Sequence, residues 1–312
     1  MKQDKPTLGI LLMLLFCIFA PLGDAYAKIL GGTVPLAELV FLRFLIQAVV
    51  LVPLAYVTKR PMKLSGRVFA FAWLRVILHI IGIASMFAAL QYLPLADAVA
   101  IAFVMPFILL LLGHFLLGEE VGLYRLIACL VGFAGTLMVI QPSFQQIGMP
   151  ALLPLVVAVV FSGFILTTRQ ISKDTDPIGL QAINGVMAIV LIGPVLLLMS
   201  DSGLDVFRLI APASDQLVTI LTWGAIGTLA HLLMTWSLRF APSATVAPIQ
   251  YLEIPVATLF GWMIFGDLPN HLAAAGIVIT MAAGLYIIWR EQANAALAKA
   301  QSSLSQTSHA AQ

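Results

Sequence analysis

Seven ionisable side chains lie inside long apolar runs of this chain: Asp24, Lys28, Glu38, Arg43, Arg75, Asp97 and Glu253. A charge at bilayer depth costs about 2.5–3.5 kcal/mol on insertion scales, so each such group is expected to face a partner or a water-filled cavity. Four acids against three bases could come close to neutralising one another. Asp24 and Lys28 are four residues apart and share a helix face. They read either as an intrahelical ion pair or as the lining of a cavity. Arg43 offers five rigid donors suited to a carboxylate or a polar heterocycle, or else a counter-ion to Asp24 or Glu38. Arg75 and His79 are again one turn apart. Arg75 is close enough to the end of its run to snorkel toward lipid headgroups, and His79 reads as a packing residue or a proton relay.

Glu253 carries the sharpest expectation. It sits near the middle of its apolar run, and Pro248 and Pro255 bracket Gln250, Tyr251 and Glu253. Each proline removes a backbone donor, and broken helices are tolerated in membranes where the backbone lines a cavity. Pro106 holds nearly the matching place in an earlier run. The chemistry this predicts is binding of a small polar molecule, or coupling of its movement to a proton, beside hinges at Pro106, Pro248 and Pro255. Tyr251 and Phe103 offer flat surface for a planar ring, with Trp236 and Trp262 behind them. The histidines show no metal-binding pair one turn apart, no serine sits in a nucleophile elbow, and no glycine loop cradles phosphate. Cys17 and Cys129 lie in apolar runs as small hydrophobes. An intramembrane enzyme built on Glu119, Glu120 and Arg125 is the rival class, and their place at a boundary argues against it. Neither a metal nor a cofactor is expected.

Long helices are needed to hold these residues. Of 312 residues, 61% are hydrophobic and 10% charged, with a mean hydropathy of +1.05. A soluble domain carries roughly 25% charged residues, so a soluble enzyme, a nucleic-acid binder and a disordered chain are all excluded. The net charge of +2 is too small for a polyanionic partner. A bilayer-spanning helix needs about 20 apolar residues. Ten such runs occur, near 7–29, 36–57, 69–91, 95–117, 122–140, 151–169, 179–199, 216–238, 244–265 and 271–289. They predict an all-α polytopic membrane protein with a cytoplasmic tail over 291–312. Lys2 and Lys5 ahead of the first run, with Ala25-Tyr26-Ala27 behind it, imitate a signal peptide; the run is expected to be retained, because Asp24 and Lys28 share its last turns. With a cytoplasmic N-terminus, twelve of the sixteen lysines and arginines fall on the cytoplasmic side, which predicts that both termini are inside.

The chain also repeats itself. Residues 89–120 read ALQYLPLADAVAIAFVMPFILLLLGHFLLGEE and residues 237–268 read SLRFAPSATVAPIQYLEIPVATLFGWMIFGDL. A shift of 148 residues pairs Leu90 with Leu238, Pro94 with Pro242, Phe103 with Tyr251, Gly113 with Gly261 and Glu119 with Asp267. The predicted domains are therefore five-helix repeats over 7–140 and 151–290. Five is odd, so the second repeat lies inverted, an architecture that lets two halves rock around a shared site. Gly132 and Gly135, with Gly276 and Gly284, read as packing faces between the halves or at a homodimer contact.

With these stretches the chain resembles the drug/metabolite transporter superfamily, EamA type, over roughly residues 7–290. The resemblance implies a secondary, non-ATP-driven carrier of a small organic metabolite in a plasma membrane, the inner membrane of a bacterium, with lipid and cargo as its partners and no nucleic acid. Gly23-Asp24-Ala25-Tyr26-Ala27-Lys28, Glu38, Arg43, Arg75 and Gln250-Tyr251-Leu252-Glu253 look most like bacterial importers of S-adenosylmethionine and riboflavin. Export of amino acids or drugs is the alternative within the superfamily.

Overall fold

The computed structural model describes residues 6–105, 107–108, 112, 123–172, 174–241, 249–286, 289, 290 and 293. The expectations for Pro106, Pro248, Gly113, Glu119, Glu120 and the tail lie outside the described residues. The helices are α1 (Pro6–Leu30), α2 (Leu36–Val57), α3 (Gly66–Leu90), α4 (Leu95–Ala102), α5 (Leu123–Ile147), α6 (Leu153–Ile171), α7 (Pro177–Met199), α8 (Gln216–Phe240), α9 (Glu253–Phe260) and α10 (His271–Tyr286). No strand occurs among the described residues. Among the described residues, six helices, α1, α2, α3, α6, α7 and α8, are long and apolar enough to cross a membrane.

Local signals set the helix ends. Pro35 and Pro94 occupy the N-cap positions of α2 and α4, where a missing N–H costs nothing. Asp176 caps α7, its carboxylate accepting from the N–H groups of Ile178 and Gly179 at 3.0 and 3.2 Å. Asn270 caps α10 in the same way through Ala273 N–H. The helix α9 continues as a π turn over Gly261–Phe265 and stops at Gly266, whose φ of +72° a side chain would strain.

Packing follows a regular scheme. α1 lies on α8, α3 on α6, α2 on α7 and α4 on α9. α5 meets α10 where Thr280 Oγ1 donates to the Gly132 carbonyl at 3.3 Å. A Cβ on Gly276 would run into the Gly135 carbonyl and one on Gly135 into Thr280, so small residues set this close crossing. Exchanging each of α1–α5 with the helix five further on maps this set of pairs onto itself.

Two helices are broken at matching places. The run that begins with α4 turns at Phe103 and Val104, and the one that contains α9 turns at Tyr251 and Leu252. The two breaks are 148 residues apart, the offset that aligned the two stretches of sequence.

The two ends of the bundle differ. At the end holding the α2–α3 and α6–α7 connections, Arg60 pairs with Asp176 at 3.4 Å and Arg239 donates to the Thr175 carbonyl at 2.7 Å. At the opposite end, Lys28 pairs with Asp267 at 3.3 Å and donates to the Leu93 carbonyl at 2.9 Å. This clasp ties α1 to the loops that follow α3 and α9.

Candidate functional site

A cavity lies inside the bundle, with about 910 Å³ of atom-free space, the part open to bulk included. Seven helices shape it. α1 supplies Asp24, α2 Arg43, α8 Trp223 and His231, and the broken turns at the ends of α4 and α9 supply Phe103, Gln250 and Glu253. α3 and α6 add Phe87 and Phe161. The walls are mainly apolar, and the few polar groups converge, as in a small-molecule site.

Asp24 lies within electrostatic range of both Arg43 and Glu253. Among the described residues neither acid has a basic side chain within ion-pair distance. Arg43 is almost fully buried and held by three contacts: Nη1 donates to Gln47 Oε1 at 3.2 Å and to Thr228 Oγ1 at 3.4 Å, and Nη2 lies 3.3 Å from His231 Nδ1. Gly227 makes this possible, because a Cβ there would strike the guanidinium. Gln47 donates to Gln181, which donates in turn to the His231 carbonyl and Thr235 Oγ1. The arginine is thus fixed by α2, α7 and α8 together.

Aromatic rings flank these charges. Phe87 and Trp223 pack as tilted rings with centroids 5.5 Å apart, and Phe103 meets Tyr251 at 5.4 Å. The second pair joins the two residues that the repeat equates.

The structure brings Asp24, Arg43, Phe103, Gln250 and Glu253 to one cavity and places the other sequence candidates elsewhere. Lys28 does not pair with Asp24; it turns to Asp267 and to the ring of Phe265, 4.9 Å away. Glu38 accepts from the Ile210 N–H at 3.0 Å and anchors the 200–215 connection. Arg75 does not snorkel: it is fully buried, donating to Thr168 and Asn184 over the face of Phe164. His79 is also fully buried, 3.1 Å from Asn184 Nδ2, its ring 4.5 Å from that of His231. Tyr251 is 1% exposed and packs behind Phe103 against Gly284, so it supports the wall rather than forming it. Pro255 is exposed within α9. Asp97 is buried beside Ser143, away from the cavity. Trp262 is half exposed, as an interfacial anchor would be.

Sequence reasoning missed the polar supports: Gln47, Thr168, Gln181, Asn184, Thr228 and His231. A signal existed for three of them. Gln47 follows Arg43 by one turn, and Gln181 and Asn184 are neighbouring polar residues in an otherwise apolar α7.

The profile of the EamA-like transporter family matches residues 7–141 and 148–290. A riboflavin transporter of Brucella anthropi is 26% identical, covering 82% of this chain and 88% of its own. An S-adenosylmethionine uptake transporter of Rickettsia prowazekii is 24% identical, covering 91% and 93%. Among solved structures, one crystal structure of a protein superposes with a TM-score of 0.60 at 18% identity, over 89% of this chain and 94% of that one. At that identity the likeness is one of fold.

Proposed function

The chain belongs to the EamA-like transporter family, and on that premise we propose that it takes up a zwitterionic metabolite bearing a planar ring, with S-adenosylmethionine the best fit. One observation carries this reading. The cavity presents two acids, Asp24 and Glu253, against one guanidinium, Arg43, beside aromatic walls. S-adenosylmethionine presents the complement: a sulfonium and an ammonium, one carboxylate, and a flat purine. Two opposite charges held in a largely apolar site attract far more strongly than in water, so the sign pattern selects among cargoes of equal size.

Riboflavin is the second reading. It carries no formal charge and would rest on the Phe87, Trp223 and Phe103 surfaces and on hydrogen bonds to Gln250 and Arg43. Uptake of labelled S-adenosylmethionine by cells expressing this chain, with unlabelled competitors, separates the two. The expected result is competition by S-adenosylmethionine and not by riboflavin. Competition by riboflavin alone would reverse the order of the two readings, and competition by neither would overturn both.

We read the two halves, 7–140 and 151–290, as inverted repeats. The closed pairing of helices, the matched breaks at Phe103 and Tyr251, and two successive matches to one family support this. Both termini are then cytoplasmic, with the arginine-rich end of the bundle inside. Reporter fusions after Lys63 and Lys173 are expected to read cytoplasmic, and fusions after Gln145 and Asp205 external. A cytoplasmic signal at Gln145 would sink the inversion.

A further inference from the structure

Behind the cavity wall, toward the end that holds the α2–α3 connection, lies a second polar group that the cargo site does not use. Arg75 is fully buried, and among the described residues no carboxylate lies within ion-pair distance of it. Its Nε donates to Thr168 Oγ1 at 2.9 Å and its Nη1 to Asn184 Oδ1, while Nη2 has no hydrogen-bond partner among the described residues. A buried charge whose hydrogen-bond partners are all neutral is costly.

The hydrogen-bond roles can be worked out from Arg75 itself. A guanidinium only donates, so the Asn184 atom facing it must be the carbonyl oxygen, and the amide NH₂ of Asn184 points at His79 Nδ1, 3.1 Å away. His79 Nδ1 then accepts, and the ring hydrogen sits on Nε2. That atom too is buried without a hydrogen-bond partner. The two unsatisfied atoms are therefore both donors, one on a cation. The group they match supplies only acceptors: an anion, of carboxylate type.

Side-chain contacts link this place to the cavity wall. Arg43 touches His231, whose ring lies against that of His79, and His79 is joined through Asn184 to Arg75. We propose that Arg75 and His79 form a second carboxylate station, deeper than Arg43, to which the cargo's carboxylate passes as the carrier turns from one side of the membrane to the other. This rests on the reading of the chain as a carrier of a carboxylate-bearing metabolite. At the first station Arg43 holds the carboxylate; at the second, Arg75 Nη2 and His79 Nε2 gain the acceptors they lack.

Two variants test it. Asn184→Asp places a carboxylate against Arg75 permanently, with His79 free to move its ring hydrogen to Nδ1. The expected result is a protein that melts at a higher temperature than wild type. It still binds S-adenosylmethionine by quenching of tryptophan fluorescence, Trp223 being in the cavity wall, yet takes it up roughly ten-fold more slowly. Arg75→Gln should bind in the cavity and fail to transport in the same way. Independently of any cargo, sodium formate, compared with equal sodium chloride, should raise the melting temperature of purified wild type and leave both variants unchanged, because a ligand of the folded state stabilises it by mass action. Wild-type uptake rates in Asn184→Asp, or stabilisation by formate in all three proteins alike, would overturn the proposal. Formate stabilisation confined to wild type, in a protein that carries no S-adenosylmethionine, would instead overturn the cargo reading and leave the anion station standing.

Discussion

Glu253→Gln is expected to cut uptake by roughly ten-fold or more while leaving the protein folded and inserted. The carboxyl sits at the first residue of α9, just after the break at Tyr251 and Leu252, and faces the cavity. Among the described residues no basic side chain pairs with it, and Asp24 lies within electrostatic range. Glutamine breaks no ion pair and adds no charge beside Asp24, so the melting temperature should hold or rise. Glutamine keeps the size and most of the hydrogen bonding. What is lost is a negative site for a cationic cargo group and a proton that can come and go. A hydrogen bond to a charged group contributes about 1.5–3 kcal/mol, which corresponds to roughly a ten- to hundredfold loss of transport. Any pH dependence of uptake carried by this carboxyl should vanish with it. Uptake at the wild-type rate with an unchanged pH profile would reduce Glu253 to a residue of the hinge.

Arg43→Gln should fail in a different way, losing stability as well as transport. Its guanidinium ties α2 to α8 through Thr228 and His231 and carries the chain of hydrogen bonds through Gln47 to α7. It is also the basic group facing Asp24. Removing one partner of a buried charge arrangement costs about 3–5 kcal/mol, much of it from the charge left behind. Adding Asp24→Asn should therefore restore a good part of the stability lost in Arg43→Gln without restoring uptake. Thermal melting of the two single variants and the double one measures this coupling directly. Strict additivity would show that Arg43 and Asp24 do not sense each other. Arg43→Lys keeps the charge but not the fork that reaches three partners, and should retain only partial transport.

The helices were legible from sequence because hydropathy and length are local properties. The apolar runs at 36–57, 151–169 and 216–238 coincide with α2, α6 and α8 to within two residues at each end. The broken turn at Tyr251 was legible from the prolines around it. Its partner at Phe103 follows from the same offset, once the repeat is seen. For the site, the residue types were readable and the pairings were not. Asp24 and Lys28 share a helix face, but which atom a side chain reaches depends on helices far away in sequence. Asp267 is 239 residues from Lys28, and nothing local to α1 announces it. Arg75 looked close enough to a helix end to reach headgroups, and the packing of α3 on α6 and α7 closed over it instead. His231 carried no signal of its own, since its role comes from Arg43 and His79 on two other helices.

The unequal closures at the two ends of the bundle bear on the direction and speed of flux. Lys28 and Asp267 are partly exposed, with side-chain accessibilities of 19% and 39%, and such an ion pair contributes at most about 1 kcal/mol and weakens with salt. Toward the other end, beneath the Arg60–Asp176 pair that is likewise partly exposed, lie the buried contacts of Arg75, Asn184, Gln181 and Thr235, whose donors and acceptors would be stranded if parted in the absence of replacements. An unloaded carrier must break these with nothing in exchange, whereas a loaded one brings its own polar groups. Homoexchange should then outpace net accumulation: vesicles preloaded with unlabelled cargo should take up label several-fold faster than empty ones. Equal initial rates would mean that the return of the empty carrier is not held back by this layer.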